Sequence, residues 1–267
     1  MLTLYHAPTA VCAAKVRVVL AEKALPFEGH MINLHLGDQF KPEYLKLNPN
    51  AVVPTLVHDG NVLIESTVIS EYLDEAFTDW PLRPAGALGH ARVRLWTKKE
   101  DSIHDTINTM TATMVFRHDL LQKSPAEREA RYSKMPDPAR REKWRRMMDE
   151  GLKSSIVADA LTRLARHFSD MEKSLSRQLW LAGDQFTLAD TGLLSFFYRL
   201  EMLECAGMWR ENFPRVSNWY ERSKARPSFR DAIIGYIPAS DHEKYRAITE
   251  PLWPQVAAGF KSSLAAI

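Results

Sequence analysis

In the first 78 residues the hydrophobic positions follow a strand-like period of two in some segments and a helical period in others. This alternation predicts a small domain of strands and helices. The segment "MLTLYH" alternates apolar and polar residues as a strand does, "AAKVRVVLAEKAL" has helical periodicity, and "FEGHMINL" alternates again. This order predicts a βαβ unit with parallel strands. The segment "PTLVHDGNVLIE" then predicts a hairpin, because Asp59, Gly60 and Asn61 favour the tight turns that need positive φ.

A helix follows the hairpin and completes a βαβ-ββα order. In "STVISEYLDEAF" the apolar positions lie along one helical face, namely Val68, Ile69, Tyr72, Leu73 and Phe77. The pattern breaks at "TDWPLRPAG", where prolines and a glycine favour a linker over residues 79–88. We therefore predict a first domain over residues 1–78.

Helical periods replace strand signals from residue 89 onward. The clearest segments are "HARVRLWTKKEDSIHDTINTMTATMVF", "SSIVADALTRLARHFSDMEKSLS", "TLADTGLLSFFYRLEML" and "FPRVSNWYERSKA". They predict an all-helical second domain over residues 89–267, so that the fold class is α/β plus all-α. Residues 120–151 are highly charged and interrupted by prolines. This composition favours a solvent-exposed helical insertion over a surface that binds a partner protein.

The segment "FTLAD" predicts the start of one of these helices. Thr187 and Asp190 match the capping-box pattern, in which each side chain accepts a free backbone N–H near the other residue. Since such caps stabilise helices, we interpret this motif as structural and not as catalytic.

Charge and cysteine content exclude several classes of protein. The 35 Lys and Arg residues nearly balance the 33 Asp and Glu residues, so no long-range field gathers nucleic acid. No apolar run approaches the roughly 18 residues of a membrane span, and the N-terminus lacks the order of a signal peptide, so we expect a cytoplasmic protein. Cys12 and Cys205 are far apart and form neither a disulfide framework nor a metal cluster, so no metal is predicted.

Pro54 stands at the entry of the hairpin, where it removes a backbone donor that a strand would normally use. If the Val53–Pro54 bond is cis, Val53 can point its N–H and C=O outward like an unpaired edge strand. An extended peptide could pair with such an edge.

Glu65 and Ser66 add a second recognition element at the next helix start. Free N–H groups, the helix dipole and the Ser66 hydroxyl make a seat for a carboxylate, and Glu65 could receive the ammonium group of the same ligand. A turn proline and an N-cap serine are each common alone. In this order and spacing they favour a site for a small peptide with an amino-acid-like end.

These motifs resemble the cytosolic glutathione transferases over nearly the full chain. The resemblance rests on "LYHAPTAVCAAKVRVVLAEKAL", "FKPEYLKLNPNAVVPTLV", "ESTVISEYL" and "WLAGDQFTLAD". It implies a thioredoxin-like N-terminal domain that binds glutathione, an all-helical domain that supplies a hydrophobic acceptor pocket, and a homodimer. By the same resemblance, Val53–Pro54 would pair with the cysteinyl backbone, and Glu65 and Ser66 would hold the γ-glutamyl end. Gln39 occupies a position that in the family often contacts the glycyl carboxylate, and the resemblance makes Lys41 a second candidate for this contact.

The family activates the glutathione thiol with a donor at the sulfur, commonly a Ser or Tyr hydroxyl after the first strand. This chain departs from that pattern, because "APTAVCAA" has no serine and Tyr5 lies inside the strand. Thr9 and Cys12 remain as local catalytic candidates. Cys12 lies at a predicted helix start, whose dipole and free N–H groups are expected to lower its pKa.

Two branches of the superfamily share features with this chain. The spacing "AVCAAKVR" is similar to that of the zeta-type isomerases and reductive dehalogenases, which carry a reactive cysteine there. "ESTVISEYLDEAF" and "LRPAGALGHARVRLWTK" resemble the bacterial β-aryl etherases, which also vary at the serine position. Both imply a glutathione thiolate that attacks an aromatic electrophile by conjugation, β-ether cleavage or dehalogenation, in detoxification or aromatic degradation.

The acceptor pocket should be apolar, and its candidates are methionines and aromatics at helical spacing and near the C-terminus: Met110, Met114, Phe116, Tyr236 and Trp253. Two other functions stay open. One is a thiol-disulfide reductase or isomerase that works through Cys12, although no Cys-x-x-Cys motif is present. The other is a glutathione-binding protein without turnover, which the absent serine suggests.

Overall fold

The computed structural model describes residues 1–267 and begins with a four-stranded sheet. The first elements are β1 (Leu2–His6), α1 (Val11–Glu22), β2 (Glu28–Met31), α2 (Pro42–Leu45), β3 (Thr55–His58), β4 (Asn61–Ile64) and α3 (Ser66–Ala76), with a 3₁₀ turn at Asp38–Phe40. The strand order is β2-β1-β3-β4. Strand β1 pairs in parallel with β2 and antiparallel with β3, which in turn pairs antiparallel with β4. The predicted βαβ-ββα order is confirmed.

The rest of the chain is helical, apart from an isolated bridge between Trp180 and Gly183. A π-helical turn, Ala112–Phe116, joins the first two of these helices. None of them combines the length and the apolar character that crossing a membrane requires. The predicted fold class, α/β plus all-α, is confirmed. The helices are α4 (Gly86–Thr111), α5 (Arg117–Leu121), α6 (Pro125–Ser133), α7 (Pro138–Glu150), α8 (Ser155–Leu175), α9 (Leu188–Met202), α10 (Gly207–Arg210), α11 (Pro214–Lys224), α12 (Pro227–Ala232), α13 (Ala239–Thr249) and α14 (Trp253–Ala265).

Packing divides the chain into two compact units that do not follow sequence order. Unit 1 contains the sheet, and α4 passes from unit 1 into unit 2. The predicted domain ranges of 1–78 and 89–267, with a linker over 79–88, stay a prediction. Unit 1 comprises Met1–Asp101, Ser174–Phe197 and Asn218–Pro238, and unit 2 comprises Ser102–Lys173, Tyr198–Ser217 and Ala239–Ile267.

Helix α1 is buried without interruption from Ala13 to Leu20, which includes Lys15 and Arg17. It packs against α3 and α12 within unit 1. A charge removed from water is costly unless it is paired and hydrogen-bonded. The cations on α1 must therefore bind groups of other elements, and these contacts shape the candidate site.

Asp190 stabilises the start of α9 through its fully buried carboxylate. The carboxylate accepts hydrogen bonds from the N–H of Leu181 at 3.0 Å, from the N–H of Thr187 at 2.9 Å and from the indole N–H of Trp219 at 2.8 Å. The predicted capping box is only half formed, because the N–H of Asp190 donates to the Thr187 carbonyl and not to its hydroxyl. The structural role assigned to this motif fits these contacts.

Tyr44 and Asn48, which we call the loop bracket, hold the chain on both sides of Val53–Pro54. The Tyr44 hydroxyl donates to the carbonyl of Val52 at 2.6 Å and lies 2.9 Å from the hydroxyl of Thr55. The Asn48 amide donates to the same two groups at 3.0 and 3.1 Å. The loop bracket thus fixes the residues that flank Val53–Pro54 without using the main chain of Val53.

Replacing Asn48 by alanine should destabilise the protein, because two hydrogen bonds from a buried amide are lost. We expect the free energy of unfolding, measured by urea titration, to fall by about 1–3 kcal/mol. Asn61→Ala is the matched control, since Asn61 donates to the carbonyl of His58 at 3.2 Å on an exposed turn. Its effect should stay within about 0.5 kcal/mol. Equal losses in both variants would contradict a structural role for the loop bracket.

Candidate functional site

Val53 presents main-chain polar groups that the fold does not use. The Val53–Pro54 peptide bond is cis. Strand β3 begins only at Thr55, and no hydrogen bond of the structure involves the N–H or C=O of Val53. The side chain of Val53 packs against Ala7, Ile32 and Tyr44, which holds the residue in place. A fixed backbone with free polar groups can pair with an extended peptide.

Glu65 and Ser66 form the start of α3, where no side chain caps the first N–H groups. Glu65 has φ 69° and ψ 111°, a backbone conformation that residues other than glycine rarely adopt. Such a conformation costs about 1–3 kcal/mol and tends to occur at functional sites. Free N–H groups at a helix start attract a carboxylate, and the helix dipole strengthens this attraction.

Gln39 lies in the 3₁₀ turn before α2, and Lys41 follows that turn directly. Gln39 is only 7% exposed, and its amide oxygen has no hydrogen-bond partner. Since buried polar groups are normally satisfied, this atom is available to a ligand. Lys41 is exposed and its ammonium group pairs with Asp38 at 2.7 Å, which raises the pKa of Lys41. Of the two, Gln39 is the better placed to receive a ligand.

Cys12 is the second residue of α1, directly before the buried run, and is half-buried as a whole residue. Burial raises the pKa of its thiol to about 11, and the opposing effects of the Lys15 charge and of a hydrogen bond with Ser66 are smaller. The predicted lowering of this pKa is therefore wrong, because the loss of hydration outweighs the helix start. At neutral pH Cys12 keeps its proton and can donate a hydrogen bond. Thr9 lies half-buried in the turn before α1, and its catalytic role, like that of Cys12, stays a prediction.

Lys15 forms a buried ion pair that the sequence analysis did not predict. Its ammonium group contacts the carboxylate of Glu100 on α4 and donates to the hydroxyl of Thr67 on α3 at 2.7 Å. Lys15 is one turn beyond Cys12 on α1, and Thr67 follows Ser66 on α3. A lysine inside the apolar run "AAKVRVVL" was the available signal, since only a partner makes such a residue tolerable.

Arg17 fixes the loop that precedes Cys12. Its guanidinium group donates to the carbonyls of Ala7 at 3.2 Å, Pro8 at 3.0 Å and Ala232 at 2.8 Å. The ring of Tyr236 lies 4.0 Å from the guanidinium carbon. Tyr236, predicted to line the acceptor pocket, is thus held against Arg17 within unit 1.

The other predicted acceptor residues belong to unit 2. Met110 and Met114 are fully buried, and the Met114 sulfur lies 3.9 Å from the sulfur of Cys205. Phe116 stacks on Trp144 with a centroid distance of 6.2 Å, and Trp253 begins α14. Met114 and Phe116 lie in the π-helical turn, a feature often found at functional sites. That these residues and Tyr236 line one pocket stays a prediction.

Metal chemistry has no candidate ligand set, because His, Cys, Asp and Glu side chains nowhere gather in groups of three that could hold an ion. The potential ligand groups of unit 1 are instead hydrogen-bonding groups: the main chain of Val53, the start of α3 and the amide of Gln39. Such a set suits a peptide with a terminal carboxylate.

Solved structures share this fold over most of their length. The crystal structure of the β-etherase LigF from Sphingobium sp. superposes with a TM-score of 0.77 at 26% identity, covering 88% of this chain and 99% of that one. Glutathione transferase F7 from Populus trichocarpa superposes with a TM-score of 0.71 at 27% identity, covering 89% and 100%.

Sequence comparisons agree with these structures. Protein LigF of Sphingobium sp. is 29% identical over 239 residues, covering 86% of this chain and 92% of that protein. The tetrachloro-p-hydroquinone reductive dehalogenase of Sphingobium chlorophenolicum is 26% identical, covering 87% and 95%. The family model for the glutathione S-transferase N-terminal domain matches residues 4–81, and that for the C-terminal domain matches residues 129–227. The chain therefore belongs to the glutathione S-transferase family of enzymes, which use glutathione as co-substrate.

Proposed function

We propose that this protein binds glutathione at the corner formed by Val53–Pro54 and Glu65–Ser66 and directs its thiolate at a hydrophobic, aromatic electrophile. The observation that carries this proposal is the unused main chain of Val53 beside the uncapped start of α3. Val53 would pair with the cysteinyl backbone. The α3 N–H groups and the Ser66 hydroxyl would hold the γ-glutamyl carboxylate, while Glu65 receives the ammonium group. The unpartnered amide of Gln39 would contact the glycyl end.

The protonated thiol of Cys12 would act as a hydrogen-bond donor to the glutathione sulfur. Its raised pKa makes it a donor at neutral pH and a poor nucleophile. This gives it the role that a serine or tyrosine hydroxyl has elsewhere in the family, with Thr9 as the neighbouring alternative. The glutathione thiolate then forms a bond to the carbon of the electrophile, and the leaving group departs with the electron pair of the broken bond.

The names of the relatives favour an aromatic acceptor with a leaving group. One is called a β-etherase and the other a tetrachloro-p-hydroquinone reductive dehalogenase. An aryl ether and a chlorinated hydroquinone both present such a carbon, so we place the protein in aromatic degradation or detoxification. A cytoplasmic location belongs to this proposal, because the reaction needs reduced glutathione and both cysteines are free thiols.

A homodimer is a further part of the proposal. Helices α3 and α4 lie side by side, since the Thr97 hydroxyl donates to Glu71 at 3.0 Å. Large apolar side chains are exposed on these helices and on β4, and burying them against a second copy of the chain would favour association. They are Val62, Val68, Leu88 and Leu95.

Introducing a charge on this surface should shift a dimer toward the monomer. We expect Leu95→Lys to lower the sedimentation coefficient at micromolar concentration, because a lysine would be desolvated in the interface. Leu121→Lys is the control, since Leu121 is an exposed apolar residue of unit 2. A wild-type protein that sediments as a monomer would refute the dimer.

Removing the two polar groups of the helix start should weaken glutathione binding. The double variant Glu65→Gln/Ser66→Ala is expected to raise the dissociation constant by about 100-fold or more, because two contacts to charged groups are lost. Isothermal titration calorimetry measures it. Glu75→Gln on the exposed side of the same helix is the control and should bind normally. If the double variant bound glutathione as tightly as the wild type, Glu65 and Ser66 would not belong to the binding site.

The role of Cys12 separates transfer from thiol-disulfide exchange. If Cys12 is a donor, Cys12→Ser should keep most activity, because a hydroxyl also donates, while Cys12→Ala should lose about 100-fold. The measurement is glutathione consumption with aryl ethers, chlorinated hydroquinones and maleyl-type isomerisation substrates. Complete loss in both variants would favour the reductase or isomerase. Binding of glutathione without turnover of any acceptor would favour the non-catalytic alternative.

A further inference from the structure

A buried ion pair lies one helical turn beyond Cys12 on α1. Lys15 on α1 and Glu100 on α4 are 1% and 0% exposed, and the Lys15 ammonium group contacts the Glu100 carboxylate directly. The same ammonium group donates to the hydroxyl of Thr67 at 2.7 Å. The pair therefore joins α1, α3 and α4 at the point where α1 and α3 begin.

The carboxylate of Glu100 has very few partners. Neither of its oxygens takes part in a hydrogen bond of good geometry, so the charge of Lys15 is its main compensation. On its other side lies Gly192 of α9, where even a methyl group would overlap the carboxylate. Glu100 is therefore a charged residue in a closely packed environment. Packing alone does not explain why a carboxylate stands at this position.

A second buried ion pair in unit 1, between Lys23 and Asp74, has the contacts expected of a structural ion pair. Lys23 contacts Asp74 at 3.0 Å near the other end of α1. Asp74 also accepts the N–H of Leu82 at 2.7 Å and the guanidinium of Arg83 at 2.6 Å. Asp74 is thus saturated with donors, whereas Glu100 depends on one cation. Protonation of Glu100 therefore affects one polar contact, whereas protonation of Asp74 would affect three.

We propose that Lys15 and Glu100 form a counter-charge pair for the thiol site. Lys15 is a positioning residue whose ammonium group offsets the charge of the glutathione thiolate, and Glu100 takes up a proton when that thiolate forms. For glutathione the inference rests on the proposed function. For Cys12, which lies one turn before Lys15 on the same helix, it rests on the position of the pair alone.

The proton balance of the site follows from this arrangement. Ionisation of the thiol releases one proton, and protonation of Glu100 consumes one, so the buried negative charge stays constant. Burial raises the pKa of Glu100 to about 7, which makes this exchange accessible near neutral pH. The other charged groups that act on Glu100 are Lys15 on α1, Glu71 on α3 and Asp101 on α4. The negative charges of Glu71 and Asp101 favour protonation of Glu100, and the positive charge of Lys15 opposes it. The neighbouring residue of α9, Gly192, is uncharged.

Titration of Cys12 tests the pair without glutathione. The rate of alkylation of Cys12 by iodoacetamide, followed by mass spectrometry over a pH series, reports the pKa of its thiol. Glu100→Gln removes a nearby negative charge and should lower this pKa by about one unit, while Lys15→Met should raise it by a similar amount. The neutral double variant Lys15→Met/Glu100→Gln avoids an unpaired buried charge and should give a value between those of the single variants.

Titration of bound glutathione tests the proton balance. The ultraviolet absorbance of the thiolate gives its pKa, and calorimetry in buffers of different ionisation enthalpy gives the protons released on binding. Near pH 8 the wild type should release fewer protons than Glu100→Gln, by up to about one per site. If the wild type binds no glutathione, the proposed function fails, but the Cys12 titration still decides the inference.

The double variant Lys23→Met/Asp74→Asn is the matched control, because it neutralises the other buried pair on α1. It should lower thermal stability and leave both thiol titrations unchanged. The proposal is overturned if Glu100→Gln changes stability but neither thiol pKa nor proton release. It is equally overturned if the control variant moves the thiol pKa as much as Glu100→Gln does.

Discussion

The burial of α1 is the constraint on which the rest of unit 1 depends. Three cations are buried here, namely Lys15 and Arg17 within the helix and Lys23 directly after its last residue. Since each needs a partner, each ties α1 to a different neighbour. Lys15 binds the start of α3 and the middle of α4. Arg17 binds the β1–α1 loop and α12. Lys23 binds Asp74 of α3. At the start of the helix, burial of the Cys12 thiol raises its pKa, so the thiol keeps its proton at neutral pH.

Polar groups of unit 1 differ in how fully the fold satisfies them. Those that stabilise the fold are saturated, as Asp190 and Asp74 show with several donors each. Those near the proposed ligand site retain hydrogen-bonding capacity, as in the main chain of Val53, the start of α3 and the amide of Gln39. Polar groups that the fold leaves unused can bind a ligand, and this is the physical argument for a ligand site in this part of unit 1.

The proposed function assigns to Cys12 the hydrogen bond that a serine donates to the glutathione sulfur elsewhere in the family. A donor to the glutathione sulfur must keep its proton at working pH, and burial gives Cys12 that property. A nucleophilic cysteine needs the opposite environment, exposed and electropositive. In the proposed function glutathione is therefore the nucleophile and Cys12 is its hydrogen-bond donor.

The sequence by itself determined the elements and their order, because hydrophobic period and turn residues act between near neighbours. Strand β1, helix α1 and the hairpin at Asp59–Gly60 are local in this sense, and so is the corner at Val53–Pro54 and Glu65–Ser66, whose residues lie close along the chain. The tertiary structure alone decided the partners of buried charges. Lys15 meets Glu100 across 85 positions of sequence, and burial of the Cys12 thiol reverses the expected shift of its pKa. Hydration is lost only when distant segments pack together, and no local pattern records it.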